Sequence, residues 1–258
     1  MANNPQTPSP EYPPATFKRR ALAYTVHMVT ASGAVWGLLS ILAIYQGQWK
    51  LLFLWQALAL IADGYDGYLA RAWKTKVYAA AIDGALMDNI LDYMNYVLIG
   101  ALVALKAELM PNQVLGLLAG AMMMVSSAFQ FSQVQAKEDL ATGEHYYRGF
   151  PSVWNILVLY LLLLNFNPWL NFFVVTACAV LVFVPVKFIY PSRTGFYPLV
   201  NVININIWAL TGLVMLVLYP NIPGWLTTIN IIGCLIYLGM SLVATLRKPQ
   251  PAGHPAAG

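Results

Sequence analysis

Apolar runs long enough to cross a lipid bilayer recur along this chain, separated by short polar or proline-marked breaks. A helix rises 1.5 Å per residue and bilayer hydrocarbon is about 30 Å thick, so about 20 mainly apolar residues make one crossing. In lipid every backbone N–H and C=O must be satisfied within the protein, and runs of this kind do so as helices. Eight candidate spans follow, near 21–46, 50–72, 78–105, 112–136, 151–165, 169–190, 197–218 and 223–246, the fifth of them short. Pro168, Pro220 and Pro223 mark turns between spans, because proline is poorly tolerated in a helix interior. The expected fold is an all-α, polytopic membrane helix bundle of about eight transmembrane helices, with no internal repeat of fixed period.

Charge supports this reading. Only 9% of the residues are charged, against about a quarter in a soluble domain, which excludes a soluble enzyme and a disordered chain. The basic residues lie between apolar runs rather than in a patch, so no nucleic-acid partner is expected. Lys and Arg collect on the cytoplasmic side of membrane proteins. With the N-terminus in the cytoplasm, Lys18, Arg19, Arg20, Arg71, Lys74, Lys76, Lys137, Arg148, Lys187, Arg193, Arg247 and Lys248 face inward, and only Lys50 and Lys106 face outward. Both termini are therefore placed in the cytoplasm. Cys178 and Cys234 form no metal-ligand or disulfide pattern and read as packing residues. The polar, proline-rich residues 1–16 lack the pattern of a signal peptide and are expected to be a disordered tail, as are residues 249–258. Residues 17–248 form a single membrane domain.

The acidic residues are unevenly placed. Asp63, Asp66, Asp83, Asp88 and Asp92 make up half of the acids and fall within or beside the second and third spans. A carboxylate inside a span costs about 2.5–3.5 kcal/mol on insertion scales, so such residues mark function by default. On a helix, residues three and four apart share a face. Asp63 and Asp66 do so at the end of span two; Gly84, Asp88 and Asp92 do so at the start of span three. If the intervening loop makes the two helices antiparallel neighbours, four carboxylates converge. Divalent cations relieve their repulsion, and an all-oxygen donor set selects Mg²⁺, Mn²⁺ or Ca²⁺ over zinc. Two cations held by shared carboxylates stabilise both the attacking and the leaving oxygen in phosphoryl transfer. Gly67 and Ala70 extend the Asp63 and Asp66 face with small side chains that permit close substrate approach. Arg71 offers a phosphate several donors in a fixed fork.

These residues read D63-G-Y-D66-G67-Y-L-A70-R71, then twelve residues, then G84-A-L-M-D88-N-I-L-D92. The string resembles the signature of the CDP-alcohol phosphotransferases, D-x2-D-G-x2-A-R-x8-G-x3-D-x3-D, integral membrane enzymes of phospholipid synthesis. All its defining residue types are present. The departure is the spacer, which is longer by four residues, about one helical turn. That length is similar to the bacterial phosphatidylcholine synthase branch, as are H27-M-V-T-A-S, I82-D83-G84-A85-L86-M87-D88-N89, R148-G-F-P-S-V-W-N155 and Y190-P-S-R193. The resemblance covers nearly the whole chain apart from its tails.

The resemblance implies a bacterial inner-membrane transferase that joins choline to the phosphatidyl group of CDP-diacylglycerol, releasing CMP. It implies Mn²⁺ or Mg²⁺, two ions per site, at Asp63, Asp66, Asp88 and Asp92, with Asp92 also the general base. Gly67, Ala70, Arg71 and Gly84 take the nucleotide- and phosphate-binding positions. CDP-diacylglycerol and choline are the expected substrates, membrane lipid surrounds the protein, and a homodimer is the expected assembly.

Asp83 lies about 180° from Asp92 on a continuous helix, so it is read as a helix cap, a partner for a loop cation or an attractor of choline's ammonium. A quaternary ammonium is held by aromatic rings through cation–π attraction. Tyr65, Tyr93, Tyr146, Trp154 and Tyr190 are the candidates nearest the cytoplasmic side. Arg148, Lys187 and Arg193 are candidates for lipid or phosphate contact, and membrane anchoring explains them equally. Thr30 and Ser32 could reach the nucleotide, while His27 is expected to be a hydrogen-bonded helix residue. The loop 137–150 is read either as a solvated loop or as a lid over the choline entry. Three alternatives stay open: another acceptor (serine, inositol or glycerol phosphate), CDP-choline with diacylglycerol, and a divalent-cation transporter. Transport sites sit near the bilayer midplane, often between repeated halves, whereas this cluster is at a span end and no repeat is evident.

Overall fold

The computed structural model describes residues 12–133, 146–189 and 196–247. Helices dominate: α1 (Phe17–Tyr45), α2 (Trp49–Ala72), α3 (Thr75–Tyr78), α4 (Gly84–Asp92), a π-helical turn (Tyr93–Leu98), α5 (Ile99–Lys106), α6 (Gln113–Phe131), α7 (Trp154–Leu164), α8 (Pro168–Leu181), α9 (Pro198–Leu218) and α10 (Gly224–Leu246). Several begin where a capping side chain stands. Thr16 accepts the Arg19 N–H, Asn112 that of Leu115 and Asn167 that of Trp169, with Pro168 in the first turn of α8.

Among the described residues, four helices, α1, α6, α9 and α10, are long and apolar enough to cross a membrane. Helix α2 is 24 residues long and carries Lys50, Asp63, Asp66 and Arg71. The fifth and sixth predicted spans are shorter than expected: α7 has 11 residues and α8 has 14. At 1.5 Å per residue these are about 16 and 21 Å long, less than one hydrocarbon thickness.

The sixth predicted span also ends differently. Its last residues form a strand, β2 (Lys187–Ile189), which pairs antiparallel with β1 (Tyr146–Arg148), Tyr146 opposite Ile189. Helix α10 takes up groups of this ribbon. Thr245 accepts the Lys187 N–H at 2.9 Å, Ser241 accepts the Ile189 N–H at 3.2 Å, and the Tyr237 hydroxyl donates to the Ile189 carbonyl at 3.1 Å. The turn after β1 needs glycine: Gly149 has φ +76° and packs against the end of α8.

The third predicted span is likewise not one helix from residue 78. Lys74, in the left-handed region at φ 52°, is followed by the single turn α3, and α4 starts only at Gly84. The twelve-residue spacer thus does not form one continuous spanning helix. It contains a separate turn, α3, which packs against α1. Its Tyr78 donates to the Pro13 carbonyl at 2.9 Å, and the Lys74 ammonium lies 4.8 Å from the Tyr12 ring centre. The described end of the N-terminal segment is therefore seated on this turn.

Helix α5 is central. Ile99, Gly100, Ala101, Val103 and Ala104 are all buried, so it is covered on every side. It packs against α6 and α7. Gly100 permits the α7 contact, because a Cβ there would lie 2.8 Å from Trp154 Cβ. The rod formed by α4, the π turn and α5 therefore carries Asp88 and Asp92 at one end and lies in the protein core at the other.

Candidate active site

Three of the predicted carboxylates meet. One oxygen each from Asp63, Asp88 and Asp92 lie within 4.8 Å of one another. Asp63 comes from α2, and Asp88 and Asp92 from successive turns of α4. They line a narrow cleft that is partly open to its surroundings. Helix α1 supplies Thr30 and Gly33, α2 adds Ala59, Ala62 and Asp66, and the rod adds Leu91, Asn95 and Tyr96. Carboxylate oxygens at this spacing, with no nitrogen or sulfur among them, fit a hard divalent cation.

Asp66 lines the same cleft but faces α1. The Thr30 hydroxyl donates to its Oδ2 at 2.7 Å. Thr30 is buried and one turn from His27, so α1 offers a hydroxyl where α2 places an acid. Thr30→Val keeps the shape and removes the donor. A hydrogen bond to a charged group is worth about 1.5–3 kcal/mol, so kcat/KM should fall by about ten- to a hundred-fold, with Thr30→Ser retaining most of it. Unchanged kcat/KM in the valine variant would show that Asp66 needs no such donor. Ser32 is used elsewhere, donating to the Val29 carbonyl and accepting from the Trp36 indole.

The α2 motif continues along its helix. A Cβ on Gly67 would lie 3.5 Å from Arg71 Nη1, so the guanidinium folds back over the glycine while remaining exposed. Gly84 has a packing role. A Cβ there would stand 3.0 Å from His27 Cε1, so a larger residue would push α4 off α1. His27 is buried, and its Nε2 has no hydrogen-bond partner. The expectation that His27 is hydrogen-bonded thus fails at this nitrogen, where burial against Gly84 prevails. Asp83 is the cap of α4, its Oδ1 accepting the Ala85 and Leu86 N–H groups at 3.1 and 3.0 Å.

Among the described residues, the predicted aromatic candidates Tyr65, Tyr93, Tyr146 and Trp154 do not line this cleft. Tyr65 is 63% exposed, and Tyr93 donates to the Met124 carbonyl at 2.9 Å. Trp154 is fully buried and donates its indole N–H to Ser127 at 2.7 Å. Tyr146 is buried in the ribbon with the Lys187 ammonium 5.1 Å from its ring centre, and Arg148 is exposed on the same strand. Tyr190, Arg193 and residues 137–145 of the candidate lid lie outside the described residues.

Two polar cleft residues were not anticipated from sequence, Asn95 and Tyr96. The Tyr96 hydroxyl donates to Asp63 Oδ2 at 2.6 Å. The Asn95 amide donates to the Leu91 carbonyl at 3.0 Å and to the Gly33 carbonyl on α1 at 3.1 Å. Both follow Asp92 by about one turn, so continuing the Gly84, Asp88 and Asp92 face would have reached them.

Residues 24–187 match the CDP-alcohol phosphatidyltransferase family. The chain is 40% identical to a phosphatidylcholine synthase of Borreliella burgdorferi over 67% of this chain and 72% of that protein. It is 34% identical to a phosphatidylcholine synthase of Brucella melitensis biotype 1 over 84% of this chain and 78% of that one. A third, from Pseudomonas aeruginosa, is 34% identical over 78% and 82%. With its signature aspartates gathered in one cleft and these likenesses spanning most of its length, the chain belongs to the CDP-alcohol phosphatidyltransferase family.

Proposed function

We propose that this protein is a phosphatidylcholine synthase, transferring the phosphatidyl group of CDP-diacylglycerol to choline and releasing CMP. The observation that carries the reading is the meeting of Asp63, Asp88 and Asp92 in a chain so similar to proteins of that name. The bound cations, two Mn²⁺ or Mg²⁺ ions, would neutralise the diphosphate and the departing CMP. Asp63, Asp66 and Asp88 would hold them, and Asp92 would both contribute a carboxylate oxygen and take the proton of choline's hydroxyl. The choline oxygen forms a bond to the diacylglycerol-bearing phosphorus, and the bond from this phosphorus to the CMP oxygen breaks. Gly67, Ala70 and Gly84 leave room for the nucleotide, and Arg71 holds a phosphate oxygen.

The site belongs at the cytoplasmic edge of the bacterial inner membrane, with an even number of passages and both termini in the cytoplasm. The distribution of Lys and Arg, twelve inward against two outward, supports this arrangement. There a lipid enters sideways and choline enters from water.

Purified protein with CDP-diacylglycerol, labelled choline and Mn²⁺ should yield labelled phosphatidylcholine and CMP, and EDTA should abolish both. Serine, inositol and glycerol 3-phosphate, run in parallel, should give no product. Turnover of one of these in place of choline would overturn the acceptor but keep the reaction class. Turnover only of CDP-choline with diacylglycerol would reverse which substrate carries the nucleotide.

A further inference from the structure

The functional segment of the third span extends one turn past the last signature aspartate. Among the described residues, Tyr96 is the one aromatic that lines the cleft. Its hydroxyl donates to Asp63 at 2.6 Å, across from its own helix to α2. The Asp88 and Asp92 carboxylates line the same cleft as Tyr96. Tyr96 lies in the π turn, Tyr93–Leu98. Such turns are rare and cluster at functional sites. The turn is tied to α1 through the neighbouring residue: Asn95, 4% exposed, donates to the Leu91 and Gly33 carbonyls.

A carboxylate that must accept a cation gains from a neutral donor on its other lone pairs. The donor fixes the carboxylate's rotamer and offsets repulsion from neighbouring acids without adding a competing positive charge. A lysine or arginine would supply the same bond but oppose the metal. A tyrosine hydroxyl meets the requirement, and it is already in place on Asp63.

We infer that Tyr96 is a positioning residue for the divalent-cation site, acting through the Asp63 carboxylate. This rests on the reading of the aspartate cleft as a metal site, and the test separates the two. Mn²⁺ binding to EDTA-stripped full-length protein is measured by electron paramagnetic resonance, together with thermal stability of the metal-free form. Removing an outer partner of a metal ligand costs about ten- to a hundred-fold in affinity, and Tyr96→Phe should raise the Mn²⁺ Kd by that factor. Metal-free stability should change little, and the KM for choline at saturating Mn²⁺ should stay close to wild type. In an Asp63→Ala background, Tyr96→Phe should have almost no further effect on Kd, because the carboxylate it holds is gone.

An unchanged Kd in Tyr96→Phe, or a loss of equal size with and without Asp63, would overturn the inference. So would a raised choline KM with unchanged Mn²⁺ affinity, which would assign the hydroxyl to the acceptor alcohol instead. Absence of Mn²⁺ binding by the wild-type protein would remove the metal reading itself, a result that no Tyr96 variant can mimic.

Discussion

Asp92→Asn is expected to lower kcat for choline transfer by at least about 10²–10⁴-fold, the range contributed by a positioned general base. The substitution preserves side-chain size, and Asp92 is the last residue of α4, so the helix and its junction with the π turn should persist. What is lost is one negative charge at the meeting point of three carboxylates and the only function of that side chain able to take a proton. Mn²⁺ affinity should also fall, but excess Mn²⁺ should not restore the rate. That split separates the base from a ligand alone. Retention of half the wild-type kcat would exclude Asp92 as the base.

Gly149→Ala is expected to destabilise the protein by about 2–5 kcal/mol, combining a left-handed backbone with an overpacked contact. At φ +76° a new Cβ would stand 2.3 Å from the Val182 carbonyl oxygen and 2.8 Å from that of Leu181. Both are backbone atoms at the end of α8. They have little freedom to retreat, since the Val182 N–H donates to Cys178 and the Leu181 carbonyl accepts from Phe150. Gly47→Ala is the matched control. It has φ +69° but open space around the position, so only the conformational cost of about 1–2 kcal/mol remains. Thermal unfolding of both variants in the same detergent gives the comparison. Equal losses would show that the close approach of β1 to α8 carries no penalty.

The aspartate face was legible in the sequence because its physics is local. Positions four apart on α4 share a side whatever surrounds the helix, and charges are scarce enough in this chain for the cluster to stand out. The caps Thr16, Asn112 and Asn167 act just as locally, on N–H groups two or three residues away, but the apolar runs rather than these residues set the expected helix starts. What escaped depends on distant partners. The bond joining the π turn to α1 links Asn95 to Gly33, 62 residues apart, and the Thr30 bond to Asp66 spans 36. The ribbon pairs segments from the two sides of α7 and α8, and a string as short as Lys187–Ile189 gives no sign of choosing strand over helix. Trp154 shows the limit for aromatics. Composition places a tryptophan equally well in a binding site, a membrane interface or a core, and here packing against Gly100 decides for the core.

The turn between the two motif halves has a consequence for how such enzymes diversify. Helix α2 stops at a left-handed Lys74, and α4 restarts under its own cap, Asp83, with Gly84 seated on His27. The angular setting of Asp88 and Asp92 is therefore fixed after the spacer rather than transmitted through it. Chain length between the halves is decoupled from catalytic register. Residues can be gained or lost there without turning the acids away from the cleft, which leaves this joint open to elaboration while the chemistry beneath it stays fixed.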